Sequence, residues 1–180
     1  MRAALLASVA LAAALLLAPP AWAQPEGALQ FPRIAGAGGV IDRGTHPAPE
    51  PGRTRRVLFD LHAAAGPGID PGLESVARLL NLYALAGVPD GRVDVVVLLR
   101  GGATALALQA GAHERRFGVA NPNAALVDAL LSAGVRIEVC GQAAHRKGFA
   151  AAEFDPRIRT VLAALVRREA LLAEGYLLAP

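Results

Sequence analysis

The 180-residue chain is short of cysteine, aromatic residues and net charge, and each shortage removes a class of protein. Its only cysteine, Cys140, has no internal partner, so no disulfide framework holds the fold. Aromatic residues make up 4% of the chain, and the abundance of Ala, Leu and Val argues for helices packed on a buried sheet rather than a sandwich or a membrane barrel. The formal charge is +3, and the neighbouring Arg53, Arg55 and Arg56 come without an aromatic platform, so no nucleic acid is expected as a partner. No pair of His, Cys, Asp or Glu has zinc-like spacing, and His46 and His113 stand alone, so no metal site is expected. Ser75 and Ser132 fall in helical patterns with no GxSxG elbow, and Gly36-Ala37-Gly38-Gly39 has no strand before it. Neither a serine hydrolase nor a dinucleotide turn is expected, and no cofactor is implied.

With 54% hydrophobic and 18% charged residues, a chain of this length fills one ordinary core. The longest apolar run lies at the start: Arg2, then Ala3 to Ala18 broken only by Ser8, then the small-x-small Ala21-Trp22-Ala23. Residues 1–23 therefore read as a secretory signal, because the run is shorter than the ~18 to 20 residues of a spanning helix. Its removal would leave 17 basic against 15 acidic side chains, with no stable membrane insertion and a periplasmic or secreted location. In such a compartment a lone thiol is buried and inert, paired with another molecule, or kept for its reactivity.

Residues 24–54 form a Pro/Gly-rich N-terminal extension, with apolar anchors at Phe31–Ile34 and Gly38–Ile41 and a linker from His46 to Gly52. The domain proper is expected over residues 55–180. Arg56–His62 is rich in strand formers; Asp70-Pro71 gives an N-cap followed by proline at the first helical position, and Leu73, Val76, Ala77, Leu80 and Ala84 form one stripe closed by Gly87. Arg92–Leu99 reads as an interior strand, Ala105–Phe117 as helical, and Asn123 as the cap of a helix carrying Leu126, Val127, Leu130 and Leu131. A strand over Arg136–Val139 leads into Cys140, Gly141 and a short helix. Arg157–Val161, Leu162–Glu174 and Tyr176–Leu178 complete the alternation. The pattern predicts an α/β protein with three layers: an open, mostly parallel five-stranded sheet with helices on both faces.

Sites in such sheets form outside the strand C-termini. The loops expected there bring His62, Gly101, Gly102, Thr104, Cys140, Gly141 and Gln142. Cys140 would sit at a helix entrance, where unpaired N–H groups and the positive end of the dipole favour the thiolate that attacks sulfur. The competing reading is a small buried hydrophobe that ends a strand. His62 reads either as a base beside the crevice or as the last residue of its strand. His145, Arg146 and Lys147 read as solvated, though together they would add positive charge near the thiol.

The segments VVVLLRGGAT, NPNAALVDALLSAGVRIEVCGQ and EGYLLAP resemble the DsrE/DsrF-like proteins in their exported branch. The likeness spans about Arg55 to Pro180, and FP…GAGGV of the extension also fits; VCGQ is its most specific piece. The resemblance implies a three-layer α/β fold assembled as a homo-oligomer, a trimer or a hexamer. Cytoplasmic members act in sulfur relay and hold a persulfide on a cysteine at the end of the corresponding strand. On that basis the carried-over residue is Cys140 alone, taking sulfur from one protein and passing it to another, both unidentified. A non-catalytic oligomeric module that binds a small anion or an exported partner is the alternative. Two departures stand out: Arg100 occupies the place of a histidine expected before Gly-Gly-Ala-Thr, and export would separate the chain from the cytoplasmic relay.

Overall fold

The computed structural model describes residues 27–44, 50, 52–64 and 66–179. The expected signal at 1–23, and most of the linker expected at 46–52, lie outside the described residues. Five strands, β1 (Arg55–Leu61), β2 (Val93–Leu99), β3 (Arg136–Cys140), β4 (Arg159–Val161) and β5 (Leu177–Leu178), form one sheet in the order β4-β3-β2-β1-β5. Every pairing is parallel. The expected α/β architecture is present, with the last strands shorter than expected.

The helices are α1 (Pro71–Leu85), α2 (Ala110–Phe117), α3 (Ala124–Ser132), α4 (Gly141–Arg146) and α5 (Ala164–Ala173). From β1 to β4 the chain steps across the sheet in one direction, and then β5 returns to the far side of β1. Because parallel crossovers are right-handed, reversing the direction of travel moves the connecting helix to the opposite face. Accordingly α1 and α3 pack on one face with Val57, Phe59, Val95, Val97, Ile137 and Val139. The other face, carrying Leu58, Val96, Leu98 and Cys140, is covered by α5 through Ala164 and Leu171.

Local sequence explains most boundaries. Asp70 accepts hydrogen bonds from the N–H groups of Gly72 and Leu73 and so caps α1, as expected. Asn123 does not cap α3. Its side-chain oxygen accepts the Asp70 N–H at 2.7 Å, while Asn121 takes up the Asn123 N–H, so the asparagines tie two helix starts together. The helical segment expected over Ala105–Phe117 is also divided, into a 3-10 turn at Gly101–Ala107 and then α2. Leu108 pairs with Phe154 across an isolated bridge and Gln109 N–H goes to Glu153, so these backbone groups are committed elsewhere.

The extension packs on the α1 side, away from Cys140. Ile34 and Val40 are buried, whereas Phe31 keeps 39% of its surface exposed. Buried Asn81 accepts the N–H groups of Arg33 and Ile34 and donates to the carbonyls of Ala37 and Gly38. Gly38 is required there, since a Cβ would lie 2.2 Å from the Arg78 backbone nitrogen at a φ of 61°. Among the described residues no helix is long and apolar enough to cross a membrane.

Candidate functional site

The C-terminal ends of β1, β2 and β3 lead to His62, to Arg100 and the 3-10 turn, and to Cys140 with α4. The turn touches both β3 and α4, so these loops share one edge. Gly101 has φ 55°, and a Cβ there would meet the His62 carbonyl oxygen at 2.6 Å. The Ala103 N–H donates to that carbonyl, and the Arg100 N–H to that of Leu61, so the His62 segment is fastened to the turn. The His62 ring lies against Gly101, with Nε2 3.2 Å from where its Cβ would be, and remains exposed.

Thr104 is the exception among the expected contacts. It is 0% exposed and donates its hydroxyl to the Gly101 carbonyl, so it stabilises the turn and offers nothing to a ligand. The rest of the turn directs Ala103, Leu106 and Ala107 into the core under α1 and α3. Gly141 packs closely on the end of β4: a Cβ would stand 2.9 Å from the Val161 carbonyl oxygen. Gln142 is exposed, as are His145, Arg146 and Lys147.

Cys140 ends β3 and is the residue before α4, but its side chain caps a different helix. The thiol sulfur accepts the backbone N–H of Ala164, the first residue of α5, at 3.2 Å. Ala163 precedes α5 and has no side chain able to take up these N–H groups, so the cap comes from the sheet. Cys140 is 5% exposed and lies with Leu58, Leu98, Ala143 and Ala164 on the α5 face. The contact joins residues distant in sequence, and its only local signal is the bare alanine at the start of α5.

Sequence reasoning also missed the charges on that face. Glu138, two residues before Cys140 and on the same side of β3, is 2% exposed. Its carboxylate accepts from Arg159 at 2.6 Å and from Arg167 at 2.7 Å. Arg167 is held more firmly protonated by its hydrogen bond to Glu138. Asp60 on β1 repeats the arrangement, with Arg100 Nε at 2.6 Å and Arg168 Nε at 3.4 Å. Each of these carboxylates therefore answers two guanidiniums, and Arg167 also meets Glu174 at 3.2 Å, so four guanidiniums face three carboxylates in these two clusters. The visible signal was an acidic residue inside each strand together with consecutive arginines in α5.

The opposite edge is separate from the thiol. There a cavity of about 450 Å³ is lined by Arg53, Arg55, Arg56 and Tyr83. Arg53 pairs with Glu50, and Arg56 donates to the Glu174 carbonyl. Near the same strand ends, burial works to raise the Asp94 carboxyl, but hydrogen bonds from Tyr176 and Arg136 outweigh it and leave it below the usual range. Among the described residues no three of His, Cys, Asp or Glu stand close enough to hold a metal ion.

A parallel five-stranded α/β sheet with a cysteine at a strand end is shared by many proteins, and comparison narrows the class. Residues 61–180 match the DsrE/DsrF-like family, and the chain belongs to that family. In fold it is similar to a protein of unknown function, MTH1491, from Methanobacterium thermoautotrophicum, with a TM-score of 0.51 and 17% identity over 69% of this chain and 97% of that one. The ychN protein from E. coli gives a TM-score of 0.46 and 12% identity over 67% of this chain and 94% of that one. No curated protein matches.

Proposed function

We propose that this chain is an exported sulfur carrier that accepts sulfane sulfur as a persulfide on Cys140 and hands it to another thiol. The observation that carries the reading is the Ala164 N–H on the thiol sulfur at 3.2 Å. A donor at that place, at the start of a ten-residue helix, stabilises a sulfur anion. Family membership supports the reading, since the DsrE/DsrF-like family is associated with sulfur relay.

The chemistry is two exchanges. The Cys140 thiolate attacks the donor's sulfane sulfur, a new S–S bond forms, and the donor's own bond breaks with the electron pair leaving on the donor. An acceptor thiolate then attacks the outer sulfur, and Cys140 departs as thiolate. Gly101, Gly102, Gly141, Gln142 and His62 flank the strand end and would border the outer sulfur. Location in the periplasm or outside the cell, a homo-oligomeric state, and separate donor and acceptor proteins belong to the same proposal.

Burial of Cys140 favours a second reading, a non-catalytic module with an inert thiol. Intact mass after exposure to a sulfane-sulfur donor separates the two. The carrier gains one sulfur atom that a reductant removes, and Cys140→Ser gains none. An equal gain in mass in wild type and Cys140→Ser sinks the carrier reading.

A further inference from the structure

Resting on the carrier reading, we infer that Arg100 and Arg168 form an oxoanion subsite beside Cys140, and that the sulfur donor it takes is thiosulfate. The register places Leu99 opposite Val139, so the next residues, Arg100 and Cys140, are neighbours on adjoining strands. Arg100 is still extended, with φ −139° and ψ 170°, and its N–H continues the ladder to Leu61. Adjacent parallel strands lie about 4.8 Å apart.

Side-chain alternation puts both residues on the α5 face. Val96 and Leu98 of β2 line that face, and Arg100 follows in step; Cys140 lines it directly. Asp60 of β1 belongs to the same face, because it meets Arg168 of α5. Arg168 is one turn beyond Ala164, whose N–H meets the thiol, so it stands on the same side of α5.

Asp60, itself 9% exposed, accepts Arg100 Nε at 2.6 Å and anchors that guanidinium. Arg168 Nε is buried and lies 3.4 Å from Asp60, outside hydrogen-bonding geometry. A guanidinium carries five N–H donors, and among the described residues neither guanidinium has a partner besides Asp60. One carboxylate therefore positions two cations and neutralises one of them. The remaining donors suit a tetrahedral oxoanion, which accepts in the planar, forked geometry that arginine offers.

Thiosulfate supplies both halves of the fit. Its sulfonate oxygens match the arginines, and its outer sulfur is the atom a thiolate attacks. The Cys140 thiolate bonds to that outer sulfur, the S–S bond of thiosulfate breaks, and sulfite leaves with the electron pair. Cys140 is left as the persulfide anion, and no oxidant or reductant is consumed.

The test separates binding from transfer. Full-chain Cys140→Ser, which forms no persulfide, is titrated with thiosulfate by calorimetry at low salt. Saturable binding is expected, weakened at least tenfold by adding Arg100→Gln or Arg168→Gln. The doubly altered Asp60→Asn/Arg100→Gln background, which strands no carboxylate, is expected to show the same loss while still unfolding in one cooperative transition. In parallel, intact mass reads loading of proteins that keep Cys140 by a neutral donor, dissolved elemental sulfur, which is expected to survive Arg100→Gln. Loading by elemental sulfur without thiosulfate binding, or binding indifferent to both arginines, overturns the subsite and leaves the carrier standing. No loading by either donor overturns the carrier reading and this assignment with it.

Discussion

The two faces of the sheet solve the same packing problem by different means. Under α1 and α3 the strands present Val57, Phe59, Val95, Val97 and Ile137 to Leu73, Val76, Leu80 and Leu130. Under α5 the apolar cluster is small, and acidic residues inside the strands are matched by arginines from α5, β4 and the end of β2. The first face gains its stability by excluding water from well-packed hydrocarbon. The second gives up part of that gain to hold fixed charge beside a thiol. The labour is divided: one face supplies most of the core, the other a set of fixed charges around the thiol.

Substitution on each face tests that division. Glu138→Leu takes the shared buried carboxylate from Arg159 and from half-buried Arg167, which keeps only Glu174 at 3.2 Å, a loss expected to cost about 3 kcal/mol in urea unfolding. It is also expected to change the alkylation rate of Cys140. Leu130→Ala, at a fully buried position of α3, is expected to cost about 2 to 5 kcal/mol and leave that rate unaltered. Equal effects of the two on the thiol would erase the distinction.

Smaller effects sharpen it. Asn81→Ala strands the N–H groups of Arg33 and Ile34, so a loss of about 2 kcal/mol is expected, with faster proteolysis within residues 27–44. Because that extension packs on the α1 side, persulfide formation should be unchanged. Asp70→Ala removes the α1 cap for about 1 kcal/mol, read from the shift in urea midpoint.

The pH response offers the least disruptive check. A hydrogen bond from Arg116 draws the Glu153 carboxyl down to about 2, against about 4.3 for a free glutamate. A depressed folded value means that the contribution is present above about pH 4.3 and is lost as pH falls toward 2. Glu153→Gln should therefore flatten the acid limb of stability in that window, followed by melting temperature against pH.

How far the fold could be read in advance depended on how local each cause is. Asp70-Pro71 and Gly87 mark the ends of α1 through neighbouring residues, and the stripe between them identifies its buried face. Asn123 looked like a cap because its own sequence allows one. Its side chain goes instead to Asp70, on another helix start that no local pattern connects. Thr104 reads as a loop donor until the 3-10 turn folds its hydroxyl back on Gly101.

The site was legible only in part for the same reason. Cys140 at the end of a strand follows from local pattern, whereas its role as cap of α5 requires the return of the chain across the opposite face. Arg100 was visible as a departure from its family; its partners Asp60 and Arg168 come from a distant strand and helix. Buried ionic clusters depend on tertiary pairing, which hydrophobic periodicity does not encode.

The most direct measurement compares alkylation of native Cys140 by anionic iodoacetate and neutral iodoacetamide, with glutathione as the reference thiol. A working thiol on a positive face predicts reaction without denaturant, an iodoacetate-to-iodoacetamide rate ratio above that of glutathione, and a fall in the ratio as salt rises. A Cys140 that reacts only after unfolding, or with a salt-independent ratio no higher than that of glutathione, would contradict the account.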